Sequence, residues 1–152
     1  LSHAEDALSF IPYGTMVDHF QELVYSKPEM TPDERNAVWA SLEKQYRPYI
    51  DFAGLPFYGR GAGWQRQLHI YLNPFYYIDY CLAQTVALQF FALFLHDAQN
   101  AWEKYLAFVR MGGTKTFVDL VHSAGLLSPL DDGCLKRITE TIAAWLSSHQ
   151  LA

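Results

Sequence analysis

Apolar residues recur along this chain at spacings of three and four, and no run of strict alternation is long enough for a useful strand, so the pattern predicts helices throughout. Residues 1–10 read as a helix that stops at Ile11-Pro12-Tyr13-Gly14, where proline and glycine break it. Thr15 then caps a second helix carrying Val17, Phe20, Val24 and Tyr25, which Lys27-Pro28 ends. Thr31-Pro32-Asp33-Glu34 is a start signal: a hydroxyl N-cap, proline at the first helical position and glutamate three residues on. The helix it opens turns Val38, Trp39, Leu42 and Tyr46 inward and ends near Arg47-Pro48. A short helix is expected over 64–72, and Asn73-Pro74 sets up a long one over 74–96 with asparagine as N-cap. Asp97 or Asn100 restarts a helix carrying Trp102, Tyr105, Leu106 and Val109, which ends at Gly112-Gly113. Thr116 to Ser123 forms a short amphipathic helix. Ser128-Pro129-Leu130-Asp131 repeats the start signal for a last helix with Leu135, Ile138, Ile142, Trp145 and Leu146 on one face. The reading is all-α, a single domain over 1–152 without internal repeats.

Between these helices, residues 48–63 hold two prolines and four glycines. Tyr58-Gly59-Arg60-Gly61-Ala62-Gly63 lacks the lysine-serine ending and preceding strand of a phosphate loop. It reads instead as the most flexible part of the chain, a mobile loop beside a binding groove. The longest uncharged run, Tyr80 to Leu95, contains Gln84 and Gln89 and is shorter than the ~20 residues of a membrane span. It is expected to be a buried helix of a soluble protein, with no membrane as partner.

Composition narrows the picture further. Apolar residues make up 51% and aromatic residues 16%, enough for a core and against disorder. The net charge of -5 and the lack of a basic cluster argue against nucleic acid as partner. Cys81 and Cys134 lie far apart and read as reduced thiols of a reducing, cytoplasmic compartment. No signal peptide or lipidation motif is visible. The opening Leu-Ser-His-Ala-Glu-Asp-Ala-Leu already looks like mid-helix, as in a piece of something longer; a domain trimmed of a tag fits that feature equally.

The candidate chemistry concentrates in Trp64 to Gln84, where His69 and the tyrosines Tyr71, Tyr76, Tyr77 and Tyr80 fall within a dozen residues. On a helix, Tyr76 and Tyr80 are four apart and Tyr77 and Tyr80 three apart, so two or three phenols can point one way near a helix N-terminus. Phenols with a pKa of about 10 are neutral hydrogen-bond donors, suited to a developing negative oxygen. The same spacing also fits aromatic packing with the hydroxyls bonded to nearby backbone. His19 and Glu22, three apart, would need matching pairs on other helices to hold a metal and read better as a solvated helix face. No His-Glu-x-x-His, Cys-x-x-Cys or Gly-x-Ser-x-Gly occurs, so no complete metal site is expected.

Phe10-Ile-Pro-Tyr-Gly14 with Val17-Asp18, Met30-Thr-Pro-Asp-Glu-Arg35, His69-Ile-Tyr71 and Pro74-Phe-Tyr-Tyr-Ile-Asp-Tyr80 with Leu82-Ala-Gln84 together carry a resemblance, as do Gly112-Gly113 and Ala124-Gly125-Leu126. The chain resembles the C-terminal part of oligoendopeptidase F, in the thimet-oligopeptidase-like group of zinc metallopeptidases. The resemblance implies a fragment, since the family's zinc-binding His-Glu-x-x-His helix and downstream glutamate lie before the matched region. It implies a parent with zinc as cofactor, none bound by this segment, and catalytic roles for His69, Tyr77 and Tyr80 toward the oxyanion. Tyr76, adjacent, is not separable from Tyr77 as donor. Tyr76, Tyr71, Gly61 and Gly63 would line the peptide. The expected partners are a peptide substrate and the N-terminal part of the same polypeptide, with homodimerisation through exposed apolar surface. The competing expectation is a self-sufficient helical binding module with no catalytic role.

Overall fold

A computed structural model of the chain describes residues 2–149. Among them, seven α-helices and one 3-10 helix follow one another without a strand. They are α1 (Ser2–Tyr25), α2 (Pro32–Tyr46), the 3-10 helix Ala62–Arg66, α3 (Leu68–Leu72), α4 (Ile78–His96), α5 (Ala98–Arg110), α6 (Phe117–Ser123) and α7 (Cys134–Ser148). The chain divides into two compact units, one formed by Ser9–Cys81 and the other by Leu1–Leu8 with Leu82–Ala152.

The Ser9–Cys81 unit is built on the aromatic face of α1. Met16, Val17 and Phe20 pack with Trp39 and Leu42 of α2, with Trp64 and with Ile70 of α3. The Phe20 ring meets Trp39 edge-on at 5.0 Å and Trp64 at 5.6 Å, geometries that add to simple burial. α1 does not stop at Pro12, as the local sequence suggested; it runs through it. Thr15, expected to cap a new helix, instead donates its hydroxyl to the Ile11 carbonyl at 2.8 Å. Gly14 is a site of close approach rather than a breaker: a Cβ there would lie 2.2 Å from Cys81 Sγ. α2 starts as predicted, with Thr31 and Glu34 forming a reciprocal capping box and Pro32 in the first turn.

The glycine-rich stretch departs from expectation. Gly61 and Gly63 are buried at the start of the 3-10 helix. Gly61 has φ +77° and a Cβ on it would sit 2.1 Å from the Asn36 carbonyl oxygen. A Cβ on Gly63 would sit 2.8 Å from Trp39 Nε1. These glycines let the loop press against α2; they satisfy a steric need where the sequence suggested freedom.

In the other unit, Val86 and Phe90 of α4 pack with Val121, Ala124 and Leu126, while Ile138 and Ile142 of α7 are buried. Asp97 and Thr116 cap α5 and α6 through their side chains. Ser128 to Asp131 does not start α7. Ser128 N–H donates to Asp131 Oδ2 at 2.7 Å and Asp131 N–H returns to the Ser128 carbonyl at 2.9 Å, which closes a turn. The helix begins at Cys134, after Gly133 at φ +77°. Leu135, placed on the inner face from the sequence, is exposed.

α4 corrects a second expectation. It is long and apolar enough by length and composition to cross a membrane, and only 28% of that apolar window is buried. Ala83, Ala87, Phe94 and Leu95 are exposed. The helix expected to be buried is therefore only partly covered within this chain. Both cysteines are buried thiols.

Candidate functional site

The helix expected over 74–96 begins only at Ile78, and this relocates the tyrosines. Asn73 closes α3 by donating its N–H to the His69 carbonyl at 3.0 Å, instead of capping α4. Pro74 and Phe75 then form a turn in which Phe75 has φ +59°. A bulky residue in the left-handed region is strained. Gln21 holds it there: its Oε1 accepts the Phe75 N–H at 3.0 Å, and the amide is buried on α1. Tyr76 and Tyr77 belong to this pinned turn and only Tyr80 to the first turn of α4.

The turn brings His69, Tyr76, Tyr77 and Tyr80 together. The His69 ring lies 4.9 Å from that of Tyr77 and 6.3 Å from that of Tyr80. Tyr80 in turn meets Tyr76 at 5.5 Å and Tyr77 at 5.9 Å, both edge-on. Tyr76 and Tyr80 are exposed at 48% and 44%, whereas Tyr77 is half-buried against Phe10 and Tyr13. Burial pushes the Tyr77 phenol up, and a hydrogen bond from Gln67 partly offsets it. The hydrogen bond to Tyr76 is the chief reason the Tyr80 phenol is also raised. Both therefore keep their protons at neutral pH and remain donors.

Sequence reasoning missed the supports beneath this cluster. Gln67 Oε1 accepts from the Tyr13 hydroxyl at 2.8 Å, and Gln67 Nε2 lies 3.2 Å from His69 Nδ1. Burial raises the Tyr13 phenol to about 12. The Arg47 guanidinium stands 4.7 Å above its ring and grips buried Glu43 through Nε at 2.8 Å and Nη2 at 2.6 Å. Glu43 also accepts from Trp39 Nε1 at 3.0 Å. The signal available for Gln21 was its place on an otherwise apolar helix face beside Val17, Phe20 and Val24; for Gln67 it was adjacency to His69.

The remaining candidates lie elsewhere. Tyr71 is 51% exposed and stacks 6.2 Å from Trp64; together with Tyr25 and Arg35 it lines a cleft of about 250 Å³. Gly61 and Gly63 are buried backbone against α2 and expose no side chain. His19 is not paired with Glu22; its Nδ1 lies 3.0 Å from the Tyr46 hydroxyl. Among the described residues, no three His, Cys, Asp or Glu side chains are placed to hold a metal ion.

An all-α scaffold thus presents a histidine with three clustered phenols, two of them exposed. Three solved structures identify what it is similar to. One of an oligoendopeptidase F shares 49% identity over 97% of this chain with a TM-score of 0.90. One of PZ peptidase A with an inhibitor shares 46% over 97%, again with a TM-score of 0.90. One of an oligoendopeptidase F from Bacillus anthracis shares 41% over 97% with a TM-score of 0.76. The chain belongs with oligoendopeptidase F and matches its C-terminal part. It spans 23–26% of the length of these proteins. No protein-family model and no curated protein matches it.

Proposed function

We propose that this chain is the C-terminal substrate-binding and oxyanion-stabilising segment of a zinc-dependent oligoendopeptidase that hydrolyses short peptides, and that it is inactive by itself. The observation that carries the reading is the His69–Tyr76–Tyr77–Tyr80 cluster, with exposed phenols on a strained turn that a buried glutamine holds in place. Backbone strain maintained at a cluster of donors is more usual at functional sites than in plain core packing. His69, Tyr77 and Tyr80 serve as donors to the carbonyl oxygen of the cleaved bond as negative charge develops, with Tyr76 beside them and Tyr71 further along the peptide. Each such donor is worth roughly 2.7–4 kcal/mol of transition-state stabilisation. The metal and its ligands belong to the rest of the parent polypeptide, and that polypeptide covers the bare apolar face of α4.

A quenched fluorescent peptide incubated with the 152-residue chain and added zinc should stay intact. Zinc-dependent turnover that survives removal of contaminating protease would overturn the reading. The free chain should associate, with itself or with the remainder of the parent, through α4; sedimentation as a monomer at high concentration would count against that part.

A further inference from the structure

Gln67 is the side chain that joins the polar members of the cluster. Its Oε1 accepts from Tyr13 at 2.8 Å and its Nε2 lies 3.2 Å from His69 Nδ1. A primary amide has one acceptor oxygen and two N–H donors. Tyr13 is kept protonated by burial, and Arg47 over its ring strengthens its hydroxyl as a donor. Its proton occupies the amide oxygen. An amide N–H is then left for His69.

An N–H donated to Nδ1 requires a lone pair there, so the neutral imidazole carries its proton on Nε2. We propose that Gln67 is a positioning residue that fixes His69 as the Nε2–H tautomer, so that this N–H is offered as a donor to an anionic oxygen of a peptide substrate. The purpose of the donor rests on the function proposed above; the tautomer does not. With the amide reversed, its oxygen would accept from His69 Nδ1–H, and a bound substrate would meet a bare Nε2.

The test is nitrogen-15 NMR of the imidazoles in the uniformly labelled full chain, with His69 assigned by difference from His69→Gln. The expected neutral ring has a pyridine-like Nδ1 and a pyrrole-like Nε2. A carboxylate offers acceptors only, so Gln67→Glu should reverse the pair. A pyrrole-like Nδ1 in the unmodified chain overturns the proposal, as does an unchanged tautomer in a folded Gln67→Glu chain. Should that variant fail to fold, the unmodified spectrum decides alone. In the complete parent enzyme, Gln67→Glu should lower kcat on the order of a hundredfold with KM little changed. The expected tautomer together with an unchanged kcat would overturn the oxyanion reading of the cluster while leaving the assignment of Gln67 standing.

Discussion

Two glutamines on two helices do the same physical job in the two units of this chain, and what surrounds them differs. Gln21 on α1 accepts the N–H of Phe75 and so holds the turn that carries Tyr76 and Tyr77. Gln89 on α4 both donates to the Leu127 carbonyl at 2.8 Å and accepts the Leu127 N–H at 2.9 Å. Loop backbone groups taken out of water need partners, and a side-chain amide supplies both kinds. Around Gln89 the clamped loop turns Leu126 into an apolar core with Val86 and Phe90. Around Gln21 the clamped turn adopts a positive φ and holds phenols at the surface. The first clamp closes a core. The second keeps a polar aromatic group, Tyr76, exposed at the surface.

The contrast can be broken at several points. The largest effect is expected from Gly61→Ala, which sets a Cβ 2.1 Å from a main-chain oxygen at φ +77°. It should cost about 3 kcal/mol or more and shift the urea midpoint accordingly. A stable Gly61→Ala would mean that the loop preceding His69 can yield. Next, Tyr80→Phe in the complete parent enzyme should lower kcat on the order of a hundredfold. Stability should hardly change, because the ring is 44% exposed. An unaffected kcat would make the two clamped loops alike in being merely structural.

Gln21→Met and Gln89→Met should each cost about 2 kcal/mol, from stranded backbone groups. Only the Gln21 variant should move the ring resonances of Tyr76, Tyr77 and Tyr80; shifts of equal size in both variants would erase the distinction. The smallest effect concerns Asp131, whose carboxyl is held below the usual carboxylate range first by the His122 hydrogen bond, then by the Ser128 amide. A depressed native pKa stabilises above the ordinary carboxylate pKa and is lost as pH falls through the lowered value. Acid titration followed by the Ser128 amide signal should show its turn loosening over that range, with the Tyr80 ring signals unmoved.

Much of this is legible in the sequence. Thr31-Pro32-Asp33-Glu34 opens α2 with the capping box its residues announce, and Asp97, one of the two starts the sequence offered, caps α5. The all-α class and the kinship with oligoendopeptidase F are equally legible, and the structural likeness agrees with both. The departures share one cause. Pro12-Tyr13-Gly14, Asn73-Pro74 and Ser128-Pro129 carry strong local propensities, and each is overruled by a distant or neighbouring partner: Cys81 against Gly14, Gln21 on Phe75, Asp131 on Ser128.

By itself, then, the sequence determined the helical class and several helix starts, because periodicity and capping are short-range properties of neighbouring residues. Only the tertiary structure decided that α1 runs through its proline, that the glycines at 61 and 63 are tight contacts with Asn36 and Trp39 of α2, and that Tyr76 and Tyr77 sit on a strained turn held by Gln21. Those outcomes depend on groups far apart along the chain meeting in space, and no local pattern records such a meeting.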